Sequence, residues 1–287
     1  MRAAQIGELK QPPRPVDVED VDGLEILAVA LNPLDLAVGS GAFYGGHPPL
    51  PYVPGCEAVG RRSDGSLVYL FGEGRGVSRD GFLVERVAAS PEIELELPGG
   101  VEPELAAAAG IAGIAAWVPV AWKAAVGEGD RVLVLGGTGA VGRLAAQAAR
   151  LLGAAHVVAV GSKDLGRIAD EFADDGFTVC IDPVWGEPLA DALQYAQRHA
   201  RVVHVGQSAG RTSPLASADV RGKELIIRGH SNFALSREER GRAYLELLDQ
   251  LVAGRLTLDF QTFSLDDVAA AWDNQRGGKS VVVVRGR

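Results

Sequence analysis

The stretch RVLVLGGTGAVG, residues 131–142, determines the fold class that we predict for this chain. Its apolar start, residues 132–135, is typical of a buried strand. The glycines that follow have the spacing G-x-G-x-x-G. In a strand–loop–helix unit, the first glycine permits a tight turn, the second lets the backbone approach a pyrophosphate, and the third lets the helix pack against the strand. The sequence therefore predicts a dinucleotide site. The residues expected to contact the dinucleotide are Gly137, Thr138, Gly139, Ala140 and Val141.

Strand-like and helix-like segments alternate from this loop onward. Apolar runs predict strands at residues 131–135, 156–160, 178–181, 201–205 and 224–228. Helical spacing predicts helices at residues 141–152, 165–172 and 189–199. This alternation is typical of βαβ units, whose crossover helices leave the strands parallel. We expect an α/β fold with a doubly wound parallel sheet, followed by a long helix at residues 237–252.

The first hundred residues have a different pattern. Apolar runs at residues 24–31, 67–71 and 82–88 predict strands, and the glycines and prolines between them predict turns and long loops. Near the end, strands are predicted at residues 260–263 and 280–284, around a helix at 265–274. We interpret this tail as returning to the first domain. The predicted domains are a barrel-like β domain of residues 1–111 and 253–287 and a dinucleotide-binding domain of residues 112–252.

The composition excludes several classes of protein. Hydrophobic residues make up 47% of the 287 and charged residues 23%, which is ordinary for a globular chain of two domains. A net charge of -9 argues against a nucleic-acid partner. Two cysteines, Cys56 and Cys180, are too few for a disulfide framework, so we expect a cytoplasmic protein. Residues 105–122 carry no charge, but they are rich in alanine and glycine and contain Pro119. We predict a buried helix there and no membrane partner.

The residues after the second strand indicate which dinucleotide binds. A site for NAD carries a carboxylate about 20 residues beyond the glycines. This chain has Gly161, Ser162 and Lys163 there. Lys163 and Arg167 could pair with a 2′-phosphate, and Ser162 could donate a hydrogen bond to it. We therefore predict NADPH, the alternative being that both cations are only solvated.

Residues at later strand ends are further candidates for the cofactor site. Gly206 follows the predicted strand at 201–205, and we expect it to contact the cofactor. His204 and His230 could do so too, although histidines in the core or at a sheet edge are commoner.

Four segments carry a resemblance to a known family. Residues 32–35 read NPLD, residues 54–60 read PGCEAVG, residues 113–117 read GIAAW, and residues 127–142 run into the glycine loop. In order and spacing they resemble the medium-chain dehydrogenase/reductase superfamily, specifically its zinc-free quinone oxidoreductase branch, over nearly the whole chain. The resemblance implies a GroES-like β-barrel catalytic domain and a Rossmann domain.

The resemblance also bears on metal binding. Zinc-dependent members of the superfamily ligate the catalytic metal with a Cys, a His-Glu pair and a further Cys. In this chain Asn32 stands at the first Cys position and Cys56 at the His position, and only Glu57 remains. We therefore expect no catalytic zinc, and we interpret Cys56 as a small buried hydrophobic residue.

Chemistry without a metal favours reduction of a conjugated acceptor. A hydride from the nicotinamide adds to a quinone or to the β-carbon of an α,β-unsaturated carbonyl, and a hydrogen-bond donor stabilises the charge that develops on oxygen. The candidate donors are Asn32, Tyr44 and Tyr52, and Tyr44 lies one place later than the tyrosine of the family. The structural alternatives are that Asn32 caps a turn and that Tyr52 only packs.

Two other functions stay open. One is an enoyl-thioester reductase acting on coenzyme A or acyl-carrier esters. The other is a non-catalytic protein that binds NADPH as a sensor or structural component.

The last strand of the parallel block predicts how the chain assembles. Residues 224–228, ELIIR, should form a sheet edge, and an exposed edge of β-forming residues associates unless it is paired or covered. The resemblance implies pairing with the same strand of a second subunit. We predict a homodimer, the alternative being a monomer whose edge is covered by residues 231–237.

Overall fold

A computed structural model, which describes residues 1–284, shows two compact units. Unit 1 comprises Met1–Ile111 together with the chain from Leu258 onward, and unit 2 comprises Ala112–Thr257. Unit 1 is built on a mainly antiparallel sheet and unit 2 on a parallel one. The predicted mixed α/β class is therefore confirmed.

Unit 1 begins with short strands joined by long loops. Its elements before unit 2 are β1 (Arg2–Gln5), β2 (Arg14–Asp17), β3 (Leu24–Ala30), α1 (Pro33–Gly39), β4 (Glu57–Arg61), β5 (Leu67–Phe71), β6 (Arg86–Val87), β7 (Glu94–Glu96) and α2 (Pro103–Ala108).

Unit 2 alternates strands and helices as its sequence pattern predicts. Its elements are α3 (Ile111–Trp117) with a π-helical continuation (Val118–Lys123), β8 (Arg131–Leu135), α4 (Ala140–Leu151), β9 (His156–Val160), α5 (Arg167–Phe172), β10 (Phe177–Asp182), α6 (Gly186–Ala192), a 3₁₀ turn (Leu193–Tyr195), β11 (Ala196–His204), α7 (Ser217–Gly222), β12 (Ile226–Gly229), a second 3₁₀ turn (Asn232–Ala234) and α8 (Arg237–Val252).

The tail returns to the sheet of unit 1. It contains β13 (Gln261–Ser264), α9 (Val268–Asn274) and β14 (Ser280–Val283). The strand order is β13-β14-β3-β4-β5-β7, and β6 pairs with β3. Because β14 pairs antiparallel with β3, the last described strand is hydrogen-bonded to a strand from the first hundred residues.

The sheet of unit 2 has the order β12-β11-β10-β8-β9, and all of its strand pairs are parallel. β8, the first strand of the unit, therefore lies between β9 and β10. The winding direction reverses between β8 and β10, and in open sheets of this kind ligands bind outside the carboxyl ends of the strands at such a switch point. The glycine loop follows β8 and lies at this point.

One predicted helix is wrong. Residues 189–199 do not form a single helix, because α6 ends at Ala192 and the segment from Ala196 onward is β11. His199 has a positive φ of 62° and donates its backbone N–H to Lys223 O, which a helix would not allow. Ala196 pairs with Phe177 of β10, and from Arg201 onward β11 pairs with both β10 and β12, so contacts with distant residues override the helical spacing.

The uncharged segment at residues 105–122 forms more than one helix. α2 ends before Gly110, where an added Cβ would lie 1.8 Å from Glu57 Oε2, and α3 and the π-helical stretch follow. Within residues 1–284, no helix is long and apolar enough to cross a membrane.

Candidate functional site

The glycine loop joins β8 to α4 without a side-chain cap. Gly136 ends the strand with a φ of 63°, and Gly137 donates its N–H to Val160 O at 2.8 Å, which ties the loop to β9. Gly139 is the N-cap of α4, and it has no side chain that could accept from the first turn. The N–H groups of a first helical turn have no partner within the helix, so they remain available to an anion.

The space around the glycines fits a bound pyrophosphate. A Cβ added to Gly142 would lie 2.3 Å from Gly136 O, and one on Gly137 would lie 2.7 Å from Ala159 Cβ. A Cβ on Gly139, in contrast, would meet its nearest atom only at 3.6 Å. Gly137 and Gly142 are thus needed for packing, whereas Gly139 leaves open space beside the N-terminus of α4. Thr138 is exposed next to this space, and Ala140 and Val141 are half-buried in the first turn.

The residues expected to select NADPH lie beside this loop. A Cβ added to Gly161 would lie 2.7 Å from Thr138 Cγ2, so the tip of β9 adjoins the glycine loop. Ser162 and Lys163 follow and are exposed. Lys163 forms no ion pair with any residue between 1 and 284. Arg167 is also exposed, but its guanidinium is 3.3 Å from Glu171 Oε1, which leaves Lys163 as the less engaged of the two cations.

Gly206 lies in a third loop of the same sheet edge. A Cβ there would be 2.7 Å from Pro183 O, and Val205 donates its N–H to Asp182 O at 2.7 Å. The loop after β10 also adjoins the first one, because a Cβ on Gly136 would lie 2.8 Å from Val184 Cγ1. The structure therefore brings together the glycines that the sequence singled out in unit 2.

Sequence analysis missed the role of Asp182 at this edge. Its fully buried carboxylate accepts from the backbone N–H groups of Val184, at 3.0 Å, and Trp185, at 2.8 Å. Its other oxygen is 3.2 Å from His204 Nδ1. The sequence signal for Asp182 was its position at the end of an apolar strand. Its pairing with His204 could not be predicted, because it depends on how β10 is aligned with β11.

Unit 1 contains a buried polar cluster around Asn32, the first candidate donor. Asn32 Nδ2 donates to Glu57 Oε1 at 2.7 Å and to Ala30 O at 3.2 Å, and its Oδ1 accepts from Lys279 Nζ at 2.7 Å. Its backbone N–H donates to Asp35 Oδ2 at the start of α1. Both side-chain hydrogens of Asn32 are therefore engaged within the protein.

Glu57 is the centre of this cluster. Its oxygens accept from Tyr69 OH and from the backbone N–H of Ile111, and Lys279 Nζ lies 3.4 Å away. Burial raises the pKa of Glu57, opposed by the nearby Lys279 and Asn32. Burial lowers the pKa of Lys279. A buried charge is tolerated only when it is paired and hydrogen-bonded, and both conditions are met here.

Cys56 lies next to Asp35, which accepts from the Cys56 backbone N–H at 2.9 Å. Burial, and secondly the charge of Asp35, hold the pKa of the thiol well above its usual range. To bind zinc here, Cys56 would have to lose its proton, and Asn32 and Glu57 would have to give up their hydrogen bonds within the protein. The thiol is instead protonated, the amide of Asn32 is engaged and Glu57 is paired with an ammonium group, so this donor set does not fit zinc. Residues 1–284 also contain no cluster of three His, Cys, Asp or Glu side chains that could hold a metal.

The two candidate tyrosines have opposite surroundings. Tyr44 is 78% exposed and packs against the ring of Phe43, with 4.4 Å between ring centroids. Tyr52 is buried, and its backbone pairs with Ile6. Its hydroxyl has no hydrogen-bond partner in the described part of the chain. Burial, with further contributions from the nearby Asp35 and Cys56, raises the pKa of Tyr52, so its phenol stays protonated.

Comparisons with known proteins show which proteins this chain resembles. Residues 152–281 match the family described as zinc-binding dehydrogenase. The chain is 28% identical to a quinone oxidoreductase from Lama guanicoe, over an alignment covering 78% of this chain and 75% of that protein. It is 31% identical to a 2-methylene-furan-3-one reductase from Solanum lycopersicum, over 66% of this chain and 54% of that protein.

A solved structure extends the likeness to the whole fold. The quinone oxidoreductase from Thermus thermophilus, whose complex with NADPH is also known, superposes with a TM-score of 0.79 at 25% identity. The superposition covers 99% of this chain and 100% of that one. The expected combination of a Rossmann domain with a GroES-like domain is thereby confirmed.

Proposed function

Because this chain belongs to the medium-chain dehydrogenase/reductase superfamily, with quinone oxidoreductases among its relatives, we propose that it is an NADPH-dependent oxidoreductase. It transfers a hydride to a quinone or to an α,β-unsaturated carbonyl, and it does so without zinc. The observation that carries the proposal is the open space over Gly139, at the N-terminus of α4 and on the same sheet edge as the exposed Lys163.

The choice of NADPH rests on charge at the tip of β9. A carboxylate there would bind the ribose hydroxyls of NAD and repel a 2′-phosphate. Gly161 and Ser162 occupy the tip, and the ammonium group of Lys163 follows them. The nearest carboxylate belongs to Asp164, three residues past Gly161, and its Oδ2 lies 3.7 Å from the position of a Cβ on Gly161. Lys163 is free to form a charge-assisted hydrogen bond with the phosphate, whereas Arg167 would have to leave Glu171.

The residues of unit 2 hold the cofactor, and unit 1 carries the candidate donors to the substrate oxygen. NADPH supplies the hydride when bound. Of the three donors, Asn32 has no free N–H and serves to position Glu57 and Lys279. Tyr44 is exposed and stays a candidate. Tyr52 is the donor that we favour, because its protonated hydroxyl has no other partner within residues 1–284. This hydroxyl is buried, so a substrate oxygen reaches it only when the residues over it move.

Initial rates of NADPH oxidation with a panel of quinones, free enones and acyl thioesters test the proposal. We expect turnover with quinones or enones, unaffected by a chelator, and elemental analysis showing no stoichiometric zinc. A strong preference for acyl thioesters would instead identify an enoyl-thioester reductase. Tight NADPH binding without turnover on any acceptor would indicate a non-catalytic sensor or structural protein.

Cofactor titrations of wild type and Lys163→Ala accompany this assay. Loss of one hydrogen bond to a charged phosphate should cost roughly 1.5–3 kcal/mol of NADPH binding. NADH lacks the phosphate, so its affinity should be the same for both proteins and serves as the internal control. An NADH affinity equal to or above that for NADPH in the wild type would refute the preference.

The proposed assembly is a cytoplasmic homodimer. Among the described strands of the parallel sheet β12 lies at one edge, and Ile226 on it is 41% exposed. Exposed edges of this kind pair readily with a second copy. Cys56 and Cys180 are both free thiols, as a reducing compartment would keep them.

A further inference from the structure

Asp182 and His204 form a couple at the carboxyl edge of the parallel sheet. They are the last residues of β10 and β11, and the parallel register makes them direct neighbours. Asp182 Oδ2 lies 3.2 Å from His204 Nδ1. The imidazole also packs against the Trp185 ring, with 4.2 Å between centroids. The histidine ring is therefore fixed on two sides.

The backbone around Trp185 is strained in a way that supports the couple. Trp185 has a φ of 58° and a ψ of −162°, a conformation that is costly for a bulky residue. Asp182 Oδ1 holds this turn by accepting from the N–H groups of Val184 and Trp185. One carboxylate thus fixes both the turn and the imidazole.

The hydrogen bond to Asp182 determines what His204 can offer a ligand. A carboxylate only accepts, so Nδ1 of the neutral imidazole carries the hydrogen and Nε2 carries the lone pair. The side chain is 28% exposed. No residue between 1 and 284 forms a hydrogen bond with Nε2. His204 thus presents an oriented acceptor at the ligand-binding edge of the sheet.

The strand order indicates which part of a ligand would reach this acceptor. The 2′-phosphate end of a dinucleotide belongs at the tip of β9, and its pyrophosphate belongs at α4, after β8. The strands follow one another across the sheet in the order β9-β8-β10-β11. A dinucleotide bound in this direction therefore has its nicotinamide-ribose half at the ends of β10 and β11. We infer that His204, oriented by Asp182, accepts a hydrogen bond from a donor group in the nicotinamide-ribose half of the cofactor.

This inference rests on the proposed NADPH binding, so its test separates the two halves of the molecule. Calorimetric titrations of the full chain use NADPH and adenosine 2′,5′-bisphosphate, which lacks the nicotinamide-ribose half. For His204→Ala we expect NADPH affinity to fall about three- to tenfold, the range for one neutral hydrogen bond. The affinity for adenosine 2′,5′-bisphosphate should not change. The control is His199→Ala, an exposed histidine in the first half of β11.

Two further variants test the orienting role of Asp182. In His204→Gln the amide oxygen restores an acceptor, so part of the NADPH affinity should return. In Asp182→Asn the new amide group would donate to Nδ1, move the imidazole hydrogen to Nε2 and weaken NADPH binding as His204→Ala does. The ¹⁵N shifts of the His204 ring in the wild type report the tautomer independently, should Asp182→Asn fail to fold.

The outcomes distinguish the inference from the function on which it rests. Unchanged NADPH affinity in His204→Ala, an equal loss for both ligands, or a hydrogen on Nε2 in the wild type would overturn the role of His204 alone. Absence of binding by both ligands to the wild type would overturn the proposed function and the inference together.

Discussion

Tyr52 and Tyr69 are two buried tyrosines whose hydroxyl groups have different surroundings. Tyr69 OH donates to Glu57 Oε2 at 2.8 Å, whereas Tyr52 OH has no partner in residues 1–284. An unsatisfied buried hydroxyl costs free energy, so its removal should not destabilise the protein. If Tyr52 OH is retained to stabilise charge on the substrate oxygen, its loss should appear in the rate instead.

The prediction at the residue scale is that Tyr52→Phe lowers kcat by about 10²-fold, the effect of removing one such donor. Its free energy of unfolding should stay equal to that of the wild type or rise. The control variant Tyr69→Phe should be destabilised by about 1 kcal/mol or more, because a buried acceptor on Glu57 loses its partner. Urea unfolding and steady-state kinetics measure both. An unchanged kcat in Tyr52→Phe would remove it from the list of donors.

The loop and helix that follow β8 give a paired prediction at the scale of the element. Gly142→Ala places a methyl group 2.3 Å from Gly136 O, so helix and strand must separate, and both stability and NADPH affinity should fall. Gly139→Ala finds no atom within 3.6 Å. Its methyl group should instead occupy the anion space, so that NADPH affinity falls while the melting temperature stays within a few degrees of wild type.

Thermal unfolding without ligand and calorimetric titration with NADPH separate the two effects. Equal loss of stability in both variants would mean that Gly139, like Gly142, is needed for packing and that the space over it is not open. Full retention of NADPH affinity in Gly139→Ala would mean that this space is not an anion site.

Assembly is the prediction at the scale of the whole molecule. β12 pairs with β11 on one side, and no described strand pairs with its other side. A two-fold pairing of β12 with its copy would make one substitution act on both sides of the interface. Light scattering should therefore give twice the 30.0 kDa mass of one chain. Ile226→Pro should split the dimer because it removes a ladder N–H, whereas Ile226→Val should not. A mass near 30.0 kDa for the wild type at micromolar concentration would contradict the dimer.

Local sequence patterns determined most of the element positions. β8 and β9 have the bounds that the apolar runs predict, and α8 spans the predicted residues 237–252. The glycine spacing predicted the tight loop before α4, because the turn and the close packing of helix against strand depend on residues that are near one another in sequence. The helix predicted at residues 189–199 is wrong after Ala192, where α6 ends, and from Ala196 onward the segment forms β11. There, contacts with distant residues decide the conformation, such as Ala196 with Phe177 and the His199 N–H with Lys223 O, and no window of local sequence contains those partners.

Only the tertiary structure decided which hydrogen-bond partners the polar side chains of the two clusters have. The sequence indicated Asn32 as a candidate donor and Glu57 as the one remaining zinc-ligand position, but Lys279, which engages both, lies 247 residues beyond Asn32. Likewise Asp182 and His204 become a couple only through the register of β10 with β11. Sequence alone determines local geometry, because turns and apolar faces depend on adjacent residues. Whether a polar side chain is engaged or free depends on partners that only the folded chain brings within hydrogen-bond distance.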